Sequence, residues 1–495
     1  MPSKPKSTAP ETAPTPTGTT EKAATKPRTR KPAASKAAAA KTGPAKTAAA
    51  KAPARKAPAA PAASEKAAPK VRVAKDRVAI VAGLRSPFVR SWSTLNEVDP
   101  VALSTAVARE LLFGAEVPLD VIDEIVWGTV IAVPTAPNVA REIALDLGLY
   151  RLPGYTVTRA CATGFQAVAS AARLIQAGEA DVVLAGGVDV TSHAPVVHKK
   201  HVIDLLQKAQ KKKGMAMIQT LAGLNPLDLL PAPPAIAERY TGKTMGQHAE
   251  IMAQNFDISR ASQEELALRS HRRAAEAVRD GKIAPLVTTI QTPKGPAGED
   301  NLIRSDMDPA KIAKLRPAFD KKNGTITAAT SSALTDGASA VLLMRESKAK
   351  ELGFTPLGFV RSWEFAALDP RVNLLLGNAY SVPGALAKAG AKLADIDVVE
   401  VHEAFAAQVL SNLKCMADAT WCASELGLSG AVGEVDPDKL NIWGGSLAYG
   451  HPFAATGGRM IAQMLGIMAE RDASLGLATA CAAGGLGVSM ILERD

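Results

Sequence analysis

Two cysteines and two histidines stand among small residues: Cys161 in RACATG, His402 in VHEAFAAQ, His451 in AYGHPFAATGG and Cys481 in ACAAGGLG. The chain holds four cysteines and seven histidines, so half of its thiols lie where large side chains have been cleared away. Small neighbours let a substrate approach the backbone, and a thiol beside an imidazole is the pairing that nucleophilic acyl transfer requires.

Each of the four carries its own local argument. Cys161 follows a β-rich run and precedes an apolar helix, which places its sulfur near free backbone N–H groups and the positive end of a helix dipole. Both are expected to lower the thiol pKa and favour thiolate. His451 lies between Gly450 and Pro452, in a turn that presents the imidazole instead of packing it, which suits a general base. Cys481 ends a strand and enters AAGGLG, where nothing bulky covers it. A second thiol near the first can resolve a disulfide, bind metal or exchange a proton with carbon. No further Cys or His stands at ligand spacing and there is no Cys-x-x-Cys, so proton transfer fits best. Cys415 and Cys422, beside Met416 and Trp421, read as structural.

The elements that must position these groups alternate strand and helix. RVAIVAG (77–83), DEIVWGTVI (123–131), YTVTRA (155–160) and DVVLAGG (181–187) read as core strands, with helices over 101–112 and 165–177. A second series begins near Gly358, with LADIDVVEV (393–401), a helix over 455–468, and strands around 475–480 and 488–492. LADIDVVEV echoes LDVIDEIVW (119–127) through Leu-x-x-Ile-Asp-x-[Ile/Val]. This predicts an α/β protein built from a duplicated αβ unit, with two similar sheets back to back. Residues 76–188 and 329–350 form the first unit, 351–495 the second, and 189–328 an inserted loop domain. The insertion holds a basic stretch in which Val202, Leu205, Leu206 and Ala209 share one helical face flanked by Lys208, Lys211 and Lys212. Such a face suits a membrane surface or a partner helix, through about 198–215, or simply docks on its own domain.

Residues 1–70 differ from the rest. They are nearly all Ala, Lys, Pro, Thr and Ser, with 15 bases against three acids, whereas the remainder carries 43 bases and 45 acids. The high pI therefore belongs to this tail, which has no apolar period with which to offset chain entropy and is expected to be disordered. Charge alone would let it touch nucleic acid, an anionic membrane or acidic proteins; the plain alternative is a solvated, solubilising tail. It lacks the apolar core of a secretory signal and the amphipathic Arg period of a mitochondrial presequence. Few cysteines in unlike contexts fit a reducing compartment, so a cytoplasmic location is expected. About 425 residues remain, enough for two or three lobes.

Taken in order, RSPF, the Cys161 segment, ISRASQEELALRSHRRAAEA, LRPAF, GTITAATSSALTDGASA, HEAFAAQ, GGSLAYGHP and CAAGG resemble the thiolases, the acetyl-CoA C-acyltransferases. The resemblance runs from about Val78 to Glu493. HEAFAAQ, with His402 where many thiolases carry Asn, resembles the long-chain branch, the β subunit of the trifunctional fatty-acid oxidation complex and its bacterial counterparts.

The resemblance implies a five-layered αβαβα thiolase fold and cleavage of 3-ketoacyl-CoA by CoA. It implies Cys161 as nucleophile, His451 as its base, Cys481 as the acid that protonates the enolate carbon, and His402, with a water, as a partner of the enolate oxygen. The backbone N–H groups of Cys161 and Ala483 would form a second oxyanion site, and Ser332, Ala404 and Phe405 would border the pantetheine arm of CoA. Coenzyme A is substrate, and no metal or redox cofactor is required. A homodimer or homotetramer is implied, with a hydratase/dehydrogenase α subunit as partner. Thr158 and Thr330 stand where the family usually has Asn, and Ala483 where it often has Gly. The alternatives are a biosynthetic acetoacetyl-CoA thiolase or a ketosynthase-like condensing enzyme, which would not need Cys481.

Overall fold

The computed structural model describes residues 76–230 and 237–495. The tail of 1–70 and most of the proline run after Leu230 lie outside the described residues.

The first half contributes β1 (Val78–Arg85), α1 (Pro100–Gly114), β2 (Glu124–Gly128), α2 (Val139–Asp146), β3 (Gly154–Val157), α3 (Thr163–Ala177) and β4 (Val182–Val190). Its insertion carries α4 (Lys200–Gln210), α5 (Met215–Leu221) and α6 (Arg260–Arg279) before β5 (Thr335–Arg345) closes the half. The second half contributes β6 (Gly358–Ala367), α7 (Gly377–Ala389), β7 (Val398–Val401) and α8 (Ala406–Ala417). It ends with α9 (Ser446–Tyr449), α10 (Ala454–Arg471), β8 (Leu475–Ala482) and β9 (Leu486–Glu493).

The duplication is visible in the pairing. From the middle outward the first half runs β1, β5, β4, β2 and the second runs β6, β9, β8, β7, with antiparallel, antiparallel and parallel pairs in both. The echoed Leu-x-x-Ile-Asp segments therefore lead into β2 and β7, equivalent strands of the two halves. The two back-to-back sheets are also joined at the centre. β1 and β6 pair antiparallel through Val78, Ala79 and Ile80, so the ladder runs unbroken through nine strands, with the short strand Val89–Arg90 pairing beside it on β5. Both are equivalent strands facing each other across the centre, and their free edges satisfy one another.

Alternation along the strands assigns the layers. Ala79 and Val81, with Val182 and Leu184, face one cluster with α1 and α2; Val78 and Ile80, with Val183 and Ala185, face another with α3 and α10. That same central cluster takes Ala478, Val488 and Met490 from the second half, while Leu477 and Ile491 turn outward to α7 and α8. The order is helices, sheet, helices, sheet, helices. α10 is buried on almost every side from Ala454 to Met468 and α3 over its first three turns, which explains why small and apolar residues dominate both.

In the insertion, Val202 and Ala209 of α4 are buried, Leu205 is half-buried, and Leu206 stays exposed. The helix packs by the Val202–Ala209 edge of the expected face, against α5 among others. No helix among the described residues is long and apolar enough to cross a membrane.

Candidate active site

The site is organised by the crossing of α3 and α10 at their N-termini. A Cβ on Gly164 would fall 2.5 Å from Ala454 O and 2.9 Å from Gly457 Cα, and a Cβ on Gly457 would fall 2.5 Å from Phe165 N. Only glycine permits this backbone contact. Cys161 lies just before α3 and His451 just before α10, so the crossing of the two helices brings their preceding turns together.

Each turn is held by its own devices. Before α3, the Arg159 N–H donates to Thr163 Oγ1 at 2.7 Å and the Thr163 hydroxyl donates to Ala160 O at 2.6 Å. Ala160 is thereby kept at φ +47°, an unfavourable region for alanine that aims the next residue, Cys161. Before α10, Gly450 adopts φ +86° with its would-be Cβ 2.5 Å from Thr335 Cγ2. His451 then donates its backbone N–H to Ala333 O at 3.2 Å.

The two imidazoles stack with ring centres 4.1 Å apart, tilted by 47°. His402 follows β7 directly, its backbone N–H bonded to Thr479 O of β8 at 2.8 Å. Its Nδ1 lies 2.9 Å from Ser446 Oγ, and His451 Nδ1 lies 2.7 Å from Thr456 Oγ1. The Nε2 atoms of both rings are buried and have no hydrogen-bond partner among the described residues. Burial, and then the neighbouring charges of His451 and Arg459, hold His402 well below the usual imidazole value. Burial, with Arg459 second, lowers His451 to about 3. Both rings are therefore neutral at ordinary pH, and each can use one nitrogen as acceptor.

Cys481 is buried near the end of β8, two residues beyond the Thr479 that bonds His402. Its thiol is raised well above the usual value, by burial first and by Cys161 second, so the two sulfurs sense each other. Cys161, only partly buried, accepts from the backbone N–H groups of Ala483 and of Cys161 itself. These bonds lower its pKa as expected for a site at a helix start. Loss of hydration outweighs them, however, and the thiol is pushed up to about 11. The expectation of a resting thiolate is thus corrected: the protein holds a neutral thiol whose anion is stabilised only by donors already in place.

The surrounding carboxylates fix the frame. Asp189, buried at the end of β4, accepts from Ile131 N (2.7 Å), Val130 N (3.0 Å) and Ala454 N (2.8 Å), tying β2, β4 and α10 together. Burial raises it to about 7. Glu403 accepts from Ser270 Oγ at 2.7 Å, Asn441 Nδ2 at 2.6 Å and Leu447 N at 3.1 Å, which anchors the His402 loop to α6 and α9. Arg459 of α10 lies 3.7 Å from Glu400, with both side chains buried, and reaches Ser446. Sequence reasoning missed Asp189, Glu403, Ser446 and Arg459. Ser446 and Glu403 stood inside quoted motifs, but nothing in their spacing told which way they faced.

Ser332, Ala404 and Phe405 are brought together: the backbone N–H and hydroxyl of Ser332 both donate to Ala404 O, at 3.0 and 3.1 Å. Ser331 bridges to Phe405, whose ring meets Phe319 edge to face at 5.7 Å. Thr330 is buried with its hydroxyl accepting from Thr327 N at 2.9 Å, and Thr158 is exposed. Cys415 and Cys422 are buried, the latter donating to Cys415 O at 3.4 Å, as structural cysteines do.

Comparison with known proteins agrees with this arrangement. Residues 78–347 match the family model for the thiolase N-terminal domain and residues 354–494 that for the thiolase C-terminal domain. A 3-ketoacyl-CoA thiolase from Klebsiella pneumoniae is 49% identical over 424 residues, covering 85% of this chain and 97% of that protein. One from Aeromonas salmonicida is also 49% identical with the same coverage. Among solved structures, the acetyl-CoA acetyltransferase of Bacillus anthracis is 31% identical with a TM-score of 0.71, covering 84% of this chain and 98% of that one. Human mitochondrial 3-ketoacyl-CoA thiolase is 28% identical with a TM-score of 0.72, covering 85% and 99%. Two stacked imidazoles, two thiols that influence each other and a duplicated five-layer core are thus accompanied by matches along nearly the whole folded chain, which belongs to the thiolase family.

Proposed function

We propose that this chain is a 3-ketoacyl-CoA thiolase, an acetyl-CoA C-acyltransferase that cleaves 3-ketoacyl-CoA with CoA into acetyl-CoA and an acyl-CoA shortened by two carbons. The observations that carry the reading are two neutral imidazoles stacked with bare Nε2 atoms, and two thiols close enough to influence each other, one of them under the Ala483 N–H. The names of the relatives above support the substrate class.

In the first half-reaction, His451 takes the Cys161 proton and the sulfur attacks the 3-keto carbon. The Cα–Cβ bond breaks, its electron pair passes to the thioester as an enolate, and the shortened acyl group stays on Cys161. The Cys481 thiol gives its proton to the enolate carbon, and acetyl-CoA leaves. His402 and His451 stabilise the enolate oxygen, and the Cys161 and Ala483 N–H groups stabilise the tetrahedral oxyanion. In the second half-reaction, a CoA thiol loses its proton and attacks the thioester, freeing Cys161. Two thiols are needed because breaking a C–C bond leaves one fragment that wants a nucleophile and another that wants an acid. Ser332, Ala404 and Phe405 border the pantetheine arm.

The decisive assay is thiolysis of 3-ketoacyl-CoA from C4 to C16 by the purified chain. Release of acetyl-CoA from 3-ketohexadecanoyl-CoA supports the long-chain reading, whereas turnover of acetoacetyl-CoA alone favours the short-chain alternative suggested by the Bacillus anthracis relative. No product at any length overturns both.

The finer organisation is part of the same proposal. The division into 76–188 with 329–350, 189–328 and 351–495 follows the two strand sets and the insertion between them. A homodimer or homotetramer, and a hydratase/dehydrogenase partner, follow from the resemblance to the long-chain branch; sedimentation of the purified chain tests the first. Peripheral membrane contact through about 198–215 belongs to the same proposal, with Ile203, Leu206 and Met215 exposed there, and vesicle flotation tests it.

A further inference from the structure

An imidazole nitrogen can stabilise an enolate oxygen only while it carries a proton. For His402, which nitrogen carries it is decided at the far edge of the ring. Nδ1 lies 2.9 Å from Ser446 Oγ, and the same oxygen lies 2.8 Å from Arg459 Nη2. A guanidinium only donates, so Ser446 Oγ accepts from Arg459. The hydroxyl proton of Ser446 then needs an acceptor, and among the described residues the one bonded to it is His402 Nδ1. The reverse arrangement has Nδ1–H donating to Oγ. It leaves a buried O–H without an acceptor, a fault the first arrangement avoids, while Nε2 lacks a partner among the described residues in both. Ser446 and His402 are fully buried and Arg459 is 2% exposed, so bulk water does not repair that fault.

We propose that Arg459 and Ser446 are positioning residues that lock His402 in the Nε2–H tautomer, turning its bare edge into a fixed hydrogen-bond donor; the use of that donor on the enolate oxygen rests on the function proposed above.

Three further observations fit. Arg459 is itself anchored, 3.7 Å from Glu400 and 3.4 Å from Gln463 Oε1, and Gln463 is held by a 2.8 Å bond to Gly444 O. The guanidinium charge also opposes protonation of His402, keeping the ring neutral and the tautomer meaningful. His451 differs: its Nδ1 meets Thr456 Oγ1 at 2.7 Å, and no guanidinium among the described residues bonds that hydroxyl. Thr456 can therefore donate or accept, as a ring that must take up and release a proton requires. The two stacked imidazoles are thus set for unlike tasks by what stands behind them.

The test uses the full chain labelled with ¹⁵N-histidine, with His402 assigned by loss of its signals in His402→Asn. Two-bond ¹H–¹⁵N correlations then report the tautomer. Wild type is expected to show the Nε2–H form alone between about pH 6 and 8. Ser446→Ala is expected to show both tautomers and to lower thiolysis kcat about tenfold, with KM for CoA unchanged. Ser446→Thr keeps the hydroxyl and is expected to restore both readouts. A wild-type Nδ1–H signal, or a Ser446→Ala spectrum identical to wild type, overturns the lock. A shifted tautomer with unmoved kcat leaves the lock standing and overturns the use of His402 on the enolate. Loss of thiolysis in every variant and in wild type, beside the expected spectra, counts against the proposed function instead.

Discussion

His402 and His451 lie 4.1 Å apart, ring centre to ring centre, and the Nε2 of each is buried without a hydrogen-bond partner among the described residues. Two imidazoles so close and so poorly hydrated do not both become charged. With His451 lowered to about 3, its base form is fully present throughout the neutral range. The kcat/KM of thiolysis should accordingly show no acid limb near the ordinary imidazole value. The check is a profile from about pH 5.5 to 8 with saturating CoA; an inflection near 6.5 that disappears in His451→Gln would contradict it.

Cys161 gives a complementary expectation. A thiol pushed up to about 11 is almost wholly protonated at neutral pH, and its thiolate fraction rises with pH. Alkylation of Cys161 by iodoacetamide should therefore accelerate about tenfold per pH unit between roughly pH 7 and 10, without a plateau. Peptide mass spectrometry of the modified chain follows it. A plateau reached near neutrality would mean that a thiolate–imidazolium pair already exists at rest.

Cys481→Ala should separate the two half-reactions. The variant keeps the nucleophile and both imidazoles, so exchange of labelled CoA with acetyl-CoA through acetyl-Cys161 should persist. Thiolysis of a 3-ketoacyl-CoA, which needs a proton delivered to carbon, should fall by about 10²-fold or more. Equal loss of both activities would assign Cys481 a packing role.

Gly450→Ala tests the turn that presents His451. The new Cβ would lie 2.5 Å from Thr335 Cγ2 at a backbone angle of φ +86°. Strain and overpacking together should cost about 2 kcal/mol or more. Urea unfolding should show an earlier midpoint at unchanged slope, with kcat reduced through displacement of the imidazole. A stability equal to wild type would show that the turn relaxes freely.

Much of this architecture was legible in the chain. Continuous apolar runs such as that within 181–187 announce strands buried on both faces, and the Leu-x-x-Ile-Asp echo marks β2 and β7, which occupy equivalent places. The four chemical residues were legible because small neighbours set them apart. Asp189 and Arg459 were not, because a buried charge is recognised by its partners, and those come from segments up to 265 residues away. The joining of the sheets through Val78, Ala79 and Ile80 was hidden for the same reason, since pairing across the centre leaves no local pattern. Cys161 was misjudged for a different one: its sequence tells of the donors near the sulfur but not of the water removed from it.

At the crossing of α3 and α10, main chain rests on main chain at Gly164 and Gly457. The placing of the two turns is therefore set by direct contact of main chain with main chain, like a hinge pin fitted between two plates, with no interposed side chain to vary. Substrate preference can drift with the loops and the insertion while this placing stays put. Any larger residue at either glycine would open the gap and uncouple the thiol from its base, whatever the rest of the molecule does.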